Sequence, residues 1–251
     1  MNLNKLLEKK RLFEQEKGNI DAITLSSYEK DFELTYTHNS TAIEGNTLTL
    51  METKLVLEDE ISVGGKELRE IYEIVNHKKA YRYVKKCINE KKQLNETIIK
   101  DIHAILTENI IVGGIYRNQE VRISGAGHVP PAGNDMYDQI KNFYVDMNWK
   151  KETLNPVEYA AWTHAEFVRI HPFIDGNGRT SRLIMNYQLM TDGFLPVSVP
   201  KENRLDYYNA LECYAVDKDL KPFTEFVADL ENKQLDLYLG LINTDFHRGD
   251  N

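Results

Sequence analysis

Within twelve positions, HPFIDGNGRTSR at 171–182, stand a histidine, a carboxylate, an asparagine between two glycines, and two arginines. That mixture suits a polyanion. Gly176, Asn177 and Gly178 fall where a helical pattern begins, and there the first backbone N–H groups lack partners and the helix dipole is positive. Glycines let the chain turn sharply and let an anion come close, so the turn reads as an anion nest. Arg179 and Arg182 are three apart and therefore neighbours on a helix, with Thr180 and Ser181 between them. Guanidinium groups grip phosphate oxygens in pairs, and this many donors suit a di- or triphosphate better than a single phosphate. Asp175 is the natural partner of a Mg²⁺ ion beside polyphosphate. His171 is the group able to take a proton near neutral pH. The expected chemistry is a hydroxyl, activated by His171, attacking a phosphate held with Mg²⁺. A zinc site on His164 and His171 lacks a third close ligand.

Helices must position these groups. Residues 155–173 open with Asn155 as cap, Pro156 at the first helical position and Glu158 completing a box-like pattern. A second helix is expected from about 177, carrying Leu183, Ile184, Tyr187 and Met190 inward and ending at Gly193. The 66–88 stretch shows apolar residues at three- and four-residue steps. Further helices are expected near 20–44, 49–60, 95–107, 135–148, 201–215 and 222–242. The exception is 111–133, punctuated by five glycines and two prolines, where Val121 and Ile123 alternate with polar residues. A short β-hairpin flap is expected there. The fold class is thus mainly α, with one small hairpin.

The chain has 251 residues, 41% of them apolar, and a formal net charge of −8. The apolar content supports a proper core, and the acidic balance argues against a nucleic-acid partner. Cys87 and Cys213 have neither metal nor redox spacing, which fits reduced thiols in a cytosol. No run approaches 18 apolar residues, so neither a signal peptide nor a membrane span is expected. A Lys-, Ile- and Asn-rich composition suggests a bacterial, cytoplasmic source.

HPFIDGNGRTSR resembles, without departure, the signature of the Fic family. The resemblance runs from about Thr35 to Leu239 and is strongest toward the animal endoplasmic-reticulum branch and its bacterial relatives, in stretches such as NPVEYAAWTHAEF and LPVSVPKENRLDYYNAL. It implies a helical Fic fold that moves AMP from ATP to a Ser, Thr or Tyr hydroxyl of a target protein. His171 would be the base, and Asp175 would bind Mg²⁺. The amides and side chain around Asn177 would hold the α-phosphate, with Arg179 and Arg182 on the outer phosphates. Gly125, Ala126, Gly127 and His128 would lie in a flap, spanning 113–133, that aligns the target protein. Tyr207 and Tyr208 are either nucleoside contacts or core. Ala215 replaces an asparagine found near the adenine in the animal enzyme.

Ser40 and Glu44 lie one helical turn apart, Gly45 can end that helix, and Thr49 with Glu52 forms a capping box for the next. Alone, Glu44 reads as an ordinary solvated glutamate. The resemblance makes Ser-x-x-x-Glu-Gly-Asn an inhibitory motif, in which Glu44 pairs with Arg182 and blocks the γ-phosphate site. It also opens a reverse reaction, removal of AMP with Glu44 positioning water. A nucleotide-sensing protein without turnover is the non-enzymatic alternative. The domain expectation is an N-terminal helical region at 1–60 carrying the inhibitory helix at about 36–45, a catalytic domain at 61–242 and a C-terminal tail at 243–251. A homodimer that modifies itself is expected by analogy.

Overall fold

Asp21, Thr49, Asn95 and Asn155 each accept a hydrogen bond from a backbone N–H two or three residues on. Each thereby satisfies donors that a helix start leaves unpaired. The computed structural model describes residues 3–123 and 125–246. Its α-helices are α1 (Leu3–Glu16), α2 (Ala22–Ala42), α3 (Leu50–Glu58), α4 (Leu68–Asn89), α5 (Glu96–Leu106), α6 (Gly133–Thr153), α7 (Pro156–Ile170), α8 (Asn177–Thr191), α9 (Arg204–Asp217) and α10 (Lys221–Phe246). The capping boxes at Thr49 and Asn155 are both formed, each with its glutamate reaching back to the cap N–H.

Helices α7 and α8 pack on each other more extensively than any other pair. Around this hairpin lie α2, α4 and α5 against α8, and α6, α9 and α10 against α7. Helix α8 is buried on nearly every side, Arg179 and Arg182 included. A helix at the centre of a core has no solvated face to keep polar. The main apolar core runs from Leu6 on α1 to Ile242 on α10, so α1 and α2 share it with the rest, while Leu48, Val56 and Ile74 form a smaller cluster at α3 and α4. Residues 171–176 therefore sit at the tip of a helix pair that the whole core holds.

The hairpin flap expected at 111–133 is not formed, and no strand occurs among the described residues. A two-stranded ribbon without a third strand or a helix beneath it is marginal in water. Here the backbone bonds of the segment go to the helical body instead. Arg117 N–H donates to Pro172 C=O at 2.9 Å, and Gly127 N–H donates to Glu212 Oε1 on α9 at 2.6 Å. Among the described residues of the tip, Ala126 N–H donates to Ile123 C=O at 3.2 Å. Helix α10 continues through Phe246, beyond the expected end at 242, and residues 247–251 lie outside the described residues.

Candidate active site

Helix α7 ends at Ile170, and His171 caps it with φ +52°, in the left-handed region. A side chain there costs about 1–2 kcal/mol. Arg117, only 2% exposed, supports this backbone. Its Nε donates to His171 C=O at 2.7 Å, Nη1 to Gln119 C=O at 2.7 Å and Nη2 to Pro131 C=O at 2.5 Å. One guanidinium thus joins the histidine to both halves of the flap segment. Nδ1 of His171 lies 3.3 Å from Val168 C=O, which can only accept. The proton therefore belongs on Nδ1, and Nε2 is left as the base. Burial brings the His171 pKa down to about 4, against the pull of the Val168 carbonyl, so the ring is neutral at pH 7.

The loop beyond is wired from beneath. Phe173 is fully buried and stacks on His103 with ring centres 3.6 Å apart. Gly114 N–H donates to His103 Nδ1 at 2.8 Å, so His103 Nε2 carries the hydrogen that reaches Asp175 C=O at 2.9 Å. Burial lowers the His103 pKa to about 4, which keeps this tautomer neutral. Asn177 spends its side chain on the loop: Oδ1 accepts from Phe173 N–H at 2.9 Å and Nδ2 donates to Phe173 C=O at 2.8 Å. Gly176, at φ +76°, makes the turn into α8. The helix's first internal bond is Thr180 N–H to Gly176 C=O, at 2.9 Å. The N–H groups of Asn177, Gly178 and Arg179 consequently have no acceptor within the helix.

The two arginines have different surroundings. Arg182 is 1% exposed; its Nε donates to Ser40 Oγ at 2.9 Å, and Nη2 reaches Ser40 C=O at 2.7 Å and Glu44 Oε1 at 2.8 Å. Its Nη1 donates to Tyr207 Oη at 3.2 Å. Burial opposes the charge on Arg182, but Tyr207 and Glu44 outweigh it and hold the guanidinium above its ordinary pKa. Tyr207 and Ser181 both meet His164 Nε2, at 2.9 and 3.1 Å, which commits His164 to this network. A Cβ on Gly178 would collide with the Glu44 carboxylate, so the glycine is what lets Glu44 lie over the start of α8.

Arg179 is equally buried but turns to the carboxylates of Asp175 and Glu73, at 3.3 Å each. Asp175 also accepts from Gly176 N–H at 2.6 Å and pairs with Arg69 of α4. Burial raises the Asp175 pKa, but Arg179, the Gly176 amide and Arg69 outweigh that and hold it below the usual carboxylate range.

A cleft of about 710 Å³ opens beside this cradle. Its walls include Glu44, His171, Gly178, Tyr208 and the flap residues Gly125, Ala126 and His128. Gly127 is pinned to α9, while His128 Nε2 lies 2.9 Å from Arg169 C=O. Tyr208 presents an open face to the cleft, being 38% exposed, whereas the neighbouring Tyr207 is 1% exposed. Tyr207 serves the core and Arg182. Thr180 and Ser181 are fully buried beneath the nest. Ala215 also lines the cleft. Arg69, Glu73, His103 and Arg117 escaped the sequence reading. The available signals were faint: Arg69 and Glu73 are four apart on a helix, and Arg117 is a lone cation just after two glycines.

Among the described residues no cluster of three or more His, Cys, Asp or Glu is placed to hold a metal. Asp175 alone, one-third exposed at the loop, fits an ion that arrives with a nucleotide, because Mg²⁺ takes one or two carboxylates and fills its shell with phosphate and water.

A left-handed histidine at a helix end, a glycine-flanked turn and a buried arginine beneath it thus meet at one helix junction. Residues 93–189 match the Fic/DOC family model. Protein adenylyltransferase Fic of Drosophila grimshawi is 37% identical over 248 residues, covering 95% of this chain and 51% of the relative. The solved structure of a Fic-domain signalling protein from Bacteroides thetaiotaomicron is 25% identical, with a TM-score of 0.85 and coverage of 97% and 98%. That of Fic-1 from C. elegans is 29% identical, with a TM-score of 0.83 and coverage of 95% and 70%. The chain belongs to the Fic/DOC family. It spans about half the length, or less, of the curated relatives it matches. Those relatives are insect proteins, so a bacterial source is not borne out. Among the described residues no helix is long and apolar enough to cross a membrane.

Proposed function

We propose that this chain is a self-restrained protein adenylyltransferase, which moves AMP from Mg²⁺-ATP to a hydroxyl of a target protein. The observation that carries the reading is the neutral His171 beside the free N–H groups of the nest, in one cleft with Glu44. The likeness to Drosophila proteins named protein adenylyltransferase Fic supports AMP transfer in general. In this reading His171 Nε2 takes the target's hydroxyl proton. The amides of 177–179 receive the charge that grows on the α-phosphate. Mg²⁺ bound with the nucleotide neutralises phosphate charge beside Asp175. The flap residues from 113 to 133 dock the target, and Tyr208 contacts the nucleoside. Residues 61–242 form the catalytic part, and the chain pairs with and weakly modifies a second copy.

The brake is Glu44. Its carboxylate accepts from Arg182 Nη2, which also donates to Ser40 C=O, and so takes an Arg182 N–H that a phosphate would need. Keeping 99% of molecules closed needs only about 2.8 kcal/mol, within reach of a charge-assisted bond to a buried arginine. Labelled ATP with purified protein is the test. Glu44→Gly is expected to raise AMP incorporation at least tenfold, and adding His171→Ala to abolish it. Equal labelling with and without Glu44 removes the brake; no labelling by Glu44→Gly, of itself or of a lysate, removes the transferase.

A second reading has its own support, since Glu44 shares the cleft with His171 and lies over Gly178 at the start of α8. It could orient water against an AMP–protein bond. Release of AMP from self-labelled Glu44→Gly protein, on adding the unmutated chain, distinguishes this direction.

A further inference from the structure

Asp175, to which the proposed function gives a divalent cation, already faces a cation in this fold. Arg69, in the first turn of α4, pairs through Nη2 with Asp175 Oδ2. Its Nε donates to Glu73 Oε1 at 3.3 Å. Arg179 meets the same two carboxylates, with Nη2 at 3.3 Å from Asp175 Oδ1 and Nη1 at 3.3 Å from Glu73 Oε1. The four side chains close a ring of alternating charge. Each carboxylate serves two guanidinium groups, and the ring is neutral as a whole.

The two arginines are not equivalent. The Arg179 side chain is 2% exposed and rooted in the central helix, so it has nowhere else to go. The Arg69 side chain is 51% exposed. It also stands at the N-terminal end of α4, where the helix dipole disfavours a cation. Half-exposed ion pairs are weak, and a long stem lets the head swing into solvent. Arg69 is therefore the member of the ring that can leave.

We propose that Arg69 is the resident counter-ion of Asp175 and competes with the divalent cation for its Oδ2 oxygen. The inference rests on the assignment of the metal to Asp175. A Mg²⁺ ion bonds oxygen at about 2.0–2.1 Å, which no guanidinium in hydrogen-bond contact with the same oxygen permits. Oδ1 stays with Arg179 and the Gly176 amide, so Oδ2 is the contested position. Nucleotide shifts the contest, because its phosphates supply the missing metal oxygens while the half-exposed guanidinium moves out into solvent. Metal entry thereby becomes conditional on nucleotide, and the loop keeps its charge balance when empty.

The test measures ATP binding by calorimetry in the full chain carrying Glu44→Gly and His171→Ala, which opens the site and prevents turnover. The quantity read is the gain in affinity on replacing EDTA with Mg²⁺. Arg69→Gln is expected to enlarge that gain about three- to tenfold, as removal of a neighbouring unit charge requires. Arg69→Lys, which keeps the charge but loses the fork, should fall between, and it carries the test with the same sign if the glutamine variant does not fold. An unchanged or smaller gain overturns the proposal. Equal weakening with and without Mg²⁺ also overturns it, because Arg69 would then be a phosphate ligand. Asp175→Asn is the control: if it leaves the Mg²⁺ gain of the parent intact, the metal does not sit on Asp175 and the functional assignment fails first.

Discussion

Arg117 joins segments that the sequence keeps more than fifty residues apart. It is one buried guanidinium against the part-buried carbonyls of Gln119, Pro131 and His171. Removing it leaves acceptors without donors, each worth about 1–3 kcal/mol when buried. Arg117→Ala is therefore expected to lower stability by roughly 3 kcal/mol in urea unfolding. It should also cut AMP transfer by the Glu44→Gly form more than tenfold, since the left-handed backbone at His171 loses its support. A lysine at 117 has one nitrogen for three acceptors and should recover only part of either loss. Sequence alone could not reveal this residue, because its partners are backbone carbonyls brought in by folding. The same holds for Arg179. Its type and spacing point to phosphate, and the approach of α4 adds Glu73 to the Asp175 that stands four residues before it.

Helix α7 shows what local chemistry does make legible. Asn155, Pro156 and Glu158 announce the helix start, and the structure forms the full capping box. Asn155→Ala should lower the urea midpoint by about 1 kcal/mol in stability with an unchanged slope. The cap lies fifteen helical residues from His171, roughly 22 Å, so transfer per folded molecule should be unaffected. The adjacent tyrosines are legible only in part. Neighbours on a helix point about 100° apart, so one of Tyr207 and Tyr208 had to turn inward, and nothing in the sequence said which. The flap failed for a different reason. Alternation at Val121 and Ile123 describes a strand's faces, but a strand also needs a partner edge, and here the backbone is bound to α9 and the 171–173 loop instead.

At the scale of the whole molecule, buried titratable groups set the pH range of stability. His103 and His171 are lowered to about 4, and His77 and His164 lie well below their ordinary value, all chiefly by burial. The unfolded chain therefore binds more protons than the folded one below about pH 6.5, and stability is lost as pH falls through that window. Glu231 works the other way. Burial raises it to about 8, so its stabilisation, held as the neutral acid, is lost as pH rises from the ordinary carboxylate range toward 8. Four histidines outweigh one glutamate on the acid side, and Glu231 acts unopposed above pH 6.5. The melting temperature is expected to peak near pH 6.5. Calorimetric scans of Glu231→Gln should lose the decline between pH 6.5 and 8 while keeping the acid limb.

Ser40 holds Arg182 by both its hydroxyl and its carbonyl, and Tyr207 holds it from the other side. None of these contacts involves Glu44. When the glutamate withdraws, the guanidinium stays where it is. If Glu44 is the brake proposed above, open and closed forms would differ by little more than its one rotamer, just beyond the end of α2, a motion of nanoseconds. Activation would show no lag, and crystals of the two forms would superimpose almost everywhere.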